Sequence, residues 1–226
     1  MVEEIASTLR ARPEIEQTLD QAIGIIRPDF HIGIDLVLSL FPLLMALIIF
    51  RRSIRIPALL WWPLLGLFIL FLPNSPYVLT DVIHFVAKVR VTPPLPIWAM
   101  SLLLLEYFVY FLFGMQCFTV SVMILGRFLR RHHTGWLVLP MEVTIIALSS
   151  FAMYMGRIDR LNSWNIVTDP HGLVHHAASD ASSFKPMEMT VLFFCAVSIL
   201  YYFLKGWNHL VAGLFHHHSS HQEAVP

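Results

Sequence analysis

Charge is scarce in this chain. Asp, Glu, Lys and Arg make up 13% of its 226 residues, against about 25% in ordinary soluble domains. The basic and acidic residues number 15 each and cancel. A chain without net charge has no global field to draw it onto a phosphate backbone, so nucleic acid is not expected as a partner. Cysteine is nearly absent. Cys117 and Cys195 each stand alone inside an apolar run, which argues against a disulfide framework or a cysteine metal site and reads both as small core hydrophobes. The first residues, Met-Val-Glu-Glu, lack the positive charge that opens a secretory signal, so no cleaved signal is expected. No nucleophile elbow, phosphate loop or dinucleotide fingerprint occurs. No long internal repeat of the transporter kind is visible either.

What the chain has in abundance is apolar sequence. Hydrophobic residues reach 57%, above the roughly 45–50% of soluble domains, and they are concentrated in five segments. These are Ile32–Phe50, Pro57–Leu72, Leu95–Leu125, Trp136–Met155 and Met187–Leu204. A spanning helix needs about 20 apolar residues. The first, fourth and fifth segments fit that length. The second is short and borrows from its flanks. The third is too long for one upright span and too short for two, so it tilts or projects into water. The expected fold is an all-α, polytopic membrane bundle of about five spans. Residues 1–31 form an amphipathic N-terminal segment with Ile15, Leu19, Ala22, Ile23 and Ile26 on one stripe. The bundle covers 32–206, and 207–226 is a His-rich cytoplasmic tail.

Basic residues in short loops set the orientation. Arg51, Arg52 and Arg55 follow the first segment, and Arg127, Arg130 and Arg131 follow the third. With five spans these loops share one side, assigned to the cytoplasm. Loops 73–94 and 157–186 then lie together on the outer side. Trp61, Trp62, Trp136 and Trp207 fall at cytoplasmic ends, and Trp98 and Trp164 at outer ends, as aromatic belts require.

The first outer loop opens with Leu72-Pro-Asn-Ser-Pro-Tyr-Val-Leu-Thr-Asp-Val-Ile-His84. Ser75 is placed to cap a helix and Pro76 to sit in its first turn. A helix over 76–89 would align Tyr77, Asp81, His84 and Lys88 on one face. Asp81 and His84 stand three apart, the start of a general-base or metal-ligand pair. A surface helix also needs a wet face, and the same residues would supply it. The second outer loop opens with Gly156-Arg-Ile-Asp-Arg-Leu-Asn-Ser-Trp164. Arg157 and Arg160 share a helical face there. They either clamp a phosphate or carboxylate or snorkel to headgroups.

The two motifs together resemble those of bacterial membrane proteins grouped as domain of unknown function 1361. The resemblance covers roughly Leu38 to Leu204. It implies a multi-helix membrane protein and brings no activity. Asn165 and Ala99-Met100 depart from the pattern, where acids would be typical.

The loop over 157–186 also holds Asp169, His171, His175, His176 and Asp180. Asp81, His84 and one or two of those histidines could bind zinc. Neither a metalloprotease helix motif nor a Cys-x-x-Cys pair is present, so no metal is assigned. Glu106 lies inside the third segment and Glu142 inside the fourth. Ionisable groups at such depth mark a pathway, a relay or a partner. The candidate site is therefore an outer interfacial cluster of Asn74, Tyr77, Asp81 and His84 with Arg157, Arg160, Asn162 and Trp164, and Glu106 as a separate candidate. Asp81 and His84 are the candidate catalytic pair. Three functions stay open: a structural or partner-binding membrane protein, a membrane enzyme acting on a lipid or lipid-linked anionic substrate, and a small-solute transporter using Glu106. The bilayer is the expected surroundings, and a lipid headgroup or other anion the expected ligand. No cofactor or protein partner is assigned.

Overall fold

The computed structural model describes residues 30–50, 56–91, 96–157, 171–172 and 184–222. The amphipathic segment expected over 1–31 lies outside the described residues up to position 29. The helices are α1 (Phe30–Ile49), α2 (Ala58–Phe71), α3 (Asn74–Tyr77), α4 (Val82–Val91), α5 (Ile97–Arg131), α6 (Val138–Arg157) and α7 (Phe184–Gln222). Short 3-10 turns stand at Val78–Asp81 and Gly135–Leu137. Among the described residues there is no strand. Five stretches are long and apolar enough to cross a membrane: Ile32–Ile49, Ala58–Arg90, Ile97–Arg131, Gly135–Arg157 and Pro186–Leu214. The second joins α2, α3, the 3-10 turn and α4 into one broken rod.

Helix α5 is the axis of the bundle and packs on α1, α3, α6 and α7. Its 35 residues rise about 52 Å, against a hydrocarbon core of about 30 Å, so it extends beyond the apolar layer. The broken rod runs antiparallel to it. Trp61 stacks on Phe128 with ring centroids 6.2 Å apart, and Phe85 meets Tyr107 at 5.1 Å. Between those two contacts the backbones approach closely at Gly114. A Cβ there would lie 2.6 Å from the carbonyl oxygen of Ser75, and it would also strike Val78. Helix association in lipid relies on such close approach, because tails are as apolar as leucine and give no hydrophobic drive. Buried Ser39, Ser75, Ser121, Ser149 and Ser150 belong to the same pattern of small interface residues. Phe50, Phe68, Phe118 and Tyr201 fill the space between the larger gaps.

The rod breaks for a chemical reason. Pro76 has no N–H to offer the Leu72 carbonyl, and the N–H of Ser75 takes it instead at 3.2 Å in a tighter turn. The helix expected over 76–89 is consequently in three pieces. Ser75 is not its cap, a correction to the expectation above. The hydroxyl of Ser75 donates to the Ser39 carbonyl at 2.8 Å, tying α3 to α1. At its other end the bundle extends along α7, which continues as helix through Trp207 to Gln222 without a break at 206.

Candidate functional site

The 3-10 turn over Val78–Asp81 decides how the polar stripe is presented. Each 3-10 residue turns about 120°, against about 100° in an α-helix. Tyr77, Asp81 and His84 still meet around one guanidinium, but the face they share is not evenly wet. Asp81 is 6% exposed, whereas the side chain of His84 is 63% exposed.

Asp81 joins three elements. Its Oδ2 accepts from the Tyr110 hydroxyl of α5 at 2.5 Å. Its Oδ1 accepts from Nη2 of Arg157, the last residue of α6. The same guanidinium nitrogen donates to the Thr80 hydroxyl at 2.6 Å. Thr80 in turn donates to the Tyr77 carbonyl at 2.7 Å, so its hydroxyl oxygen is free to accept. The guanidinium centre of Arg157 lies 5.2 Å from the Tyr77 ring centroid, a cation–π contact. Its Nη1 lies 3.3 Å from His84 Nε2. An arginine can only donate, so in this contact Nε2 accepts and Nδ1 carries the proton. His84 Nε2 is 3.9 Å from Asp81 Oδ1. Asp35 of α1 comes within 3.4 Å of the Tyr110 hydroxyl. Two carboxylates thus flank one phenol, whose single proton goes to the nearer one.

Of the residues singled out in the sequence, Tyr77, Asp81, His84 and Arg157 come together here. Asn74 reaches α1 through its main-chain carbonyl, which accepts from Ser39 at 3.3 Å. Arg160, Asn162 and Trp164 lie outside the described residues, as do Asp169, His175, His176 and Asp180. His171 is exposed. Among the described residues no three His, Cys, Asp or Glu side chains gather as a metal site would need. Glu106 stands one turn before Tyr110 on α5, with its carboxylate oxygens screened from solvent.

Three members were not placed in the cluster from sequence: Thr80, Tyr110 and Asp35. Thr80 is an ordinary residue of the motif until the 3-10 turn aims it. Tyr110 is one of several aromatics in an apolar run. Asp35 carried the clearest signal, an acid one turn inside an apolar segment, and it reads equally well as an interfacial residue.

A second polar cluster occupies the other end of the bundle. Glu142, 2% exposed, accepts from Lys205 Nζ at 2.6 and 2.8 Å. Lys205 also sits 5.6 and 5.5 Å from the ring centroids of Tyr201 and Tyr202. Glu142 and Arg157 are 15 residues apart on α6, about 22 Å along the axis.

A family model described as "Protein of unknown function (DUF1361)" matches residues 34–202. The chain belongs to this family. No curated protein and no solved structure matches it. The region covered by the DUF1361 family includes every member of the Asp81 cluster, and it stops short of Lys205. Ala99 is buried in this DUF1361 protein and Asn165 lies outside the described residues.

Proposed function

We propose that this DUF1361 protein is an integral protein of a bacterial cytoplasmic membrane, and that its Asp81–Arg157 cluster is an interhelical lock at the outer end of the bundle. One observation carries the reading. Asp81 is almost fully buried, and both of its oxygens are engaged, by α5 through Tyr110 and by α6 through Arg157. A carboxylate held this way is a poor general base. A buried, hydrogen-bonded ion pair holds its surroundings strictly, because losing one partner strands the other charge. The lock joins α1, the broken rod, α5 and α6 where the outer loops leave the bundle. The rim of the lock, His84 and the facing edge of Arg157, is the surface a partner would meet.

A double-mutant cycle on Asp81→Ala and Arg157→Ala, read by thermal unfolding in detergent, tests this reading. Each single change should destabilise strongly, and the double variant should lose much less than the sum. Additive losses would break the lock. The orientation has its own test. In a background with Cys117 and Cys195 replaced, cysteine at position 88 should label from outside. Cysteine at position 52 should label only after the membrane is opened.

One observation favours a second reading, an enzyme acting on a lipid or lipid-linked anionic substrate. His84 is open to solvent beside the Arg157 guanidinium, a base next to an anion-holding group. Under that reading His84→Ala abolishes turnover of such a substrate while leaving unfolding unchanged.

A further inference from the structure

The Glu142–Lys205 pair forms part of the wall of a cavity of about 280 Å³ between α5, α6 and α7. Its polar walls are Arg127 and Arg130 of α5, Glu142 of α6, and Lys205, Asn208 and His209 of α7. Three cations face a single carboxylate. Lys205 engages both oxygens of that carboxylate. The charge left over belongs to Arg127 and Arg130, which are exposed. They stand three apart on α5 and so project from the same side. Two guanidinium groups so placed are suited to bidentate hydrogen bonds with a phosphate.

The position of the cavity narrows the ligand. It opens where the apolar part of α5 gives way to Arg127–Arg131, the level of the headgroups. Its other walls are Ala212 of α7 and Val120, Met123 and Gly126 of α5, the last three running back toward the apolar part of that helix. From Val120 to Arg130 is about 15 Å along the helix. A charged end and an apolar end in one cleft match an amphiphile. Basic pockets between membrane helices are established headgroup sites. The volume is at the lower edge of the roughly 300–1,000 Å³ of small-molecule sites. It has room for a headgroup, with acyl chains running outside along the helices. The cavity shares no residue with the Asp81 cluster.

We propose that this cavity binds a phosphate group with uncompensated negative charge, held by Arg127 and Arg130, whether carried on an anionic phospholipid or on a soluble phosphate. The test is native mass spectrometry of the full chain in neutral detergent. The probes are phosphatidylglycerol, phosphatidylcholine and inorganic phosphate. Phosphatidylglycerol should bind at least about tenfold more tightly than phosphatidylcholine. The Arg127→Gln/Arg130→Gln double variant should remove that preference, as loss of two charge-assisted contacts implies. Arg131→Gln, outside the cavity wall, should keep it. Ala212→Phe leaves both arginines and narrows the cavity, and should weaken binding as well. Retention of bound phosphatidylglycerol against millimolar inorganic phosphate identifies the lipid as source. Binding of inorganic phosphate that depends on both arginines, with no gain from acyl chains, identifies a soluble phosphate. The proposal is overturned if neither phosphatidylglycerol nor inorganic phosphate binds, if the double variant binds like wild type, or if Arg131→Gln loses as much as the double variant.

Discussion

The two ends of this bundle each bury a carboxylate against a cation, and they do so in opposite ways. In the Asp81 cluster, among the described residues, two carboxylates meet one guanidinium. Asp35 and Asp81 share Tyr110, and Arg157 is drawn in to meet Asp81, Thr80 and His84. The arrangement is closed around Asp81 and draws on α1, the rod, α5 and α6. At the Glu142 end bases are in excess. Lys205 saturates the acid, and two arginines remain beside an open cavity. The same kind of pair is thus a fastening where its charges are consumed and a receptor wall where they are not. What separates the two is the count of opposite charges within reach, together with whether space is left between the helices.

The sharpest way to break this contrast is to remove Arg157. Arg157→Ala leaves Asp81 buried without its cation, and a loss of about 3–5 kcal/mol in unfolding free energy is expected. A loss below about 1 kcal/mol, the range of exposed pairs, would place the pair in water instead. Tyr110→Phe comes next. It deletes one charge-assisted hydrogen bond to Asp81 and keeps the ring, and should cost about 1.5–3 kcal/mol by the same measurement. Lys205→Met examines the open end. Glu142 loses its partner there too, but it faces a cavity that water can enter. The expected loss of about 1–3 kcal/mol is therefore smaller than for Arg157→Ala. Equal losses at both ends would erase the distinction between a closed and an open cluster. The smallest effect is expected for His84→Ala. Its side chain is 63% exposed, so chemical or thermal unfolding should shift by no more than about 0.5 kcal/mol. A large shift would make His84 part of the lock instead of its rim.

Much of the architecture was legible in the residues. All five apolar segments lie in helices, because the length of an apolar run maps onto bilayer thickness, although the helix of the fifth runs on past Leu204 to Gln222. The overlong third segment is indeed one helix that outruns the membrane. The meeting of the 72–84 motif with Arg157 followed from counting spans, since loops two spans apart share a side. The detail of the site was less legible. Ser75 satisfies every local rule for a cap, yet its hydroxyl serves Ser39, a partner 36 positions away in sequence. Asp81 and His84 are neighbours, 3.9 Å apart, yet contacts with Tyr110 and Arg157 bury the first while the second stays exposed. Glu142 was visible as an acid in an apolar run, but nothing local names Lys205 as its partner.

The sequence by itself determined that this is an all-helical membrane bundle and which ends of its helices lie together, so that the 72–84 motif and Arg157 share one end. Those properties depend on composition averaged along the chain. Only the tertiary structure decided which charge meets which. That depends on how far each helix is rotated and how deep it sits, and these are set by close approaches such as Gly114 against Ser75 and Val78. A rotation of one residue step, about 100°, would turn Asp81 away from Tyr110 and Arg157 while leaving the hydropathy of the segment unchanged.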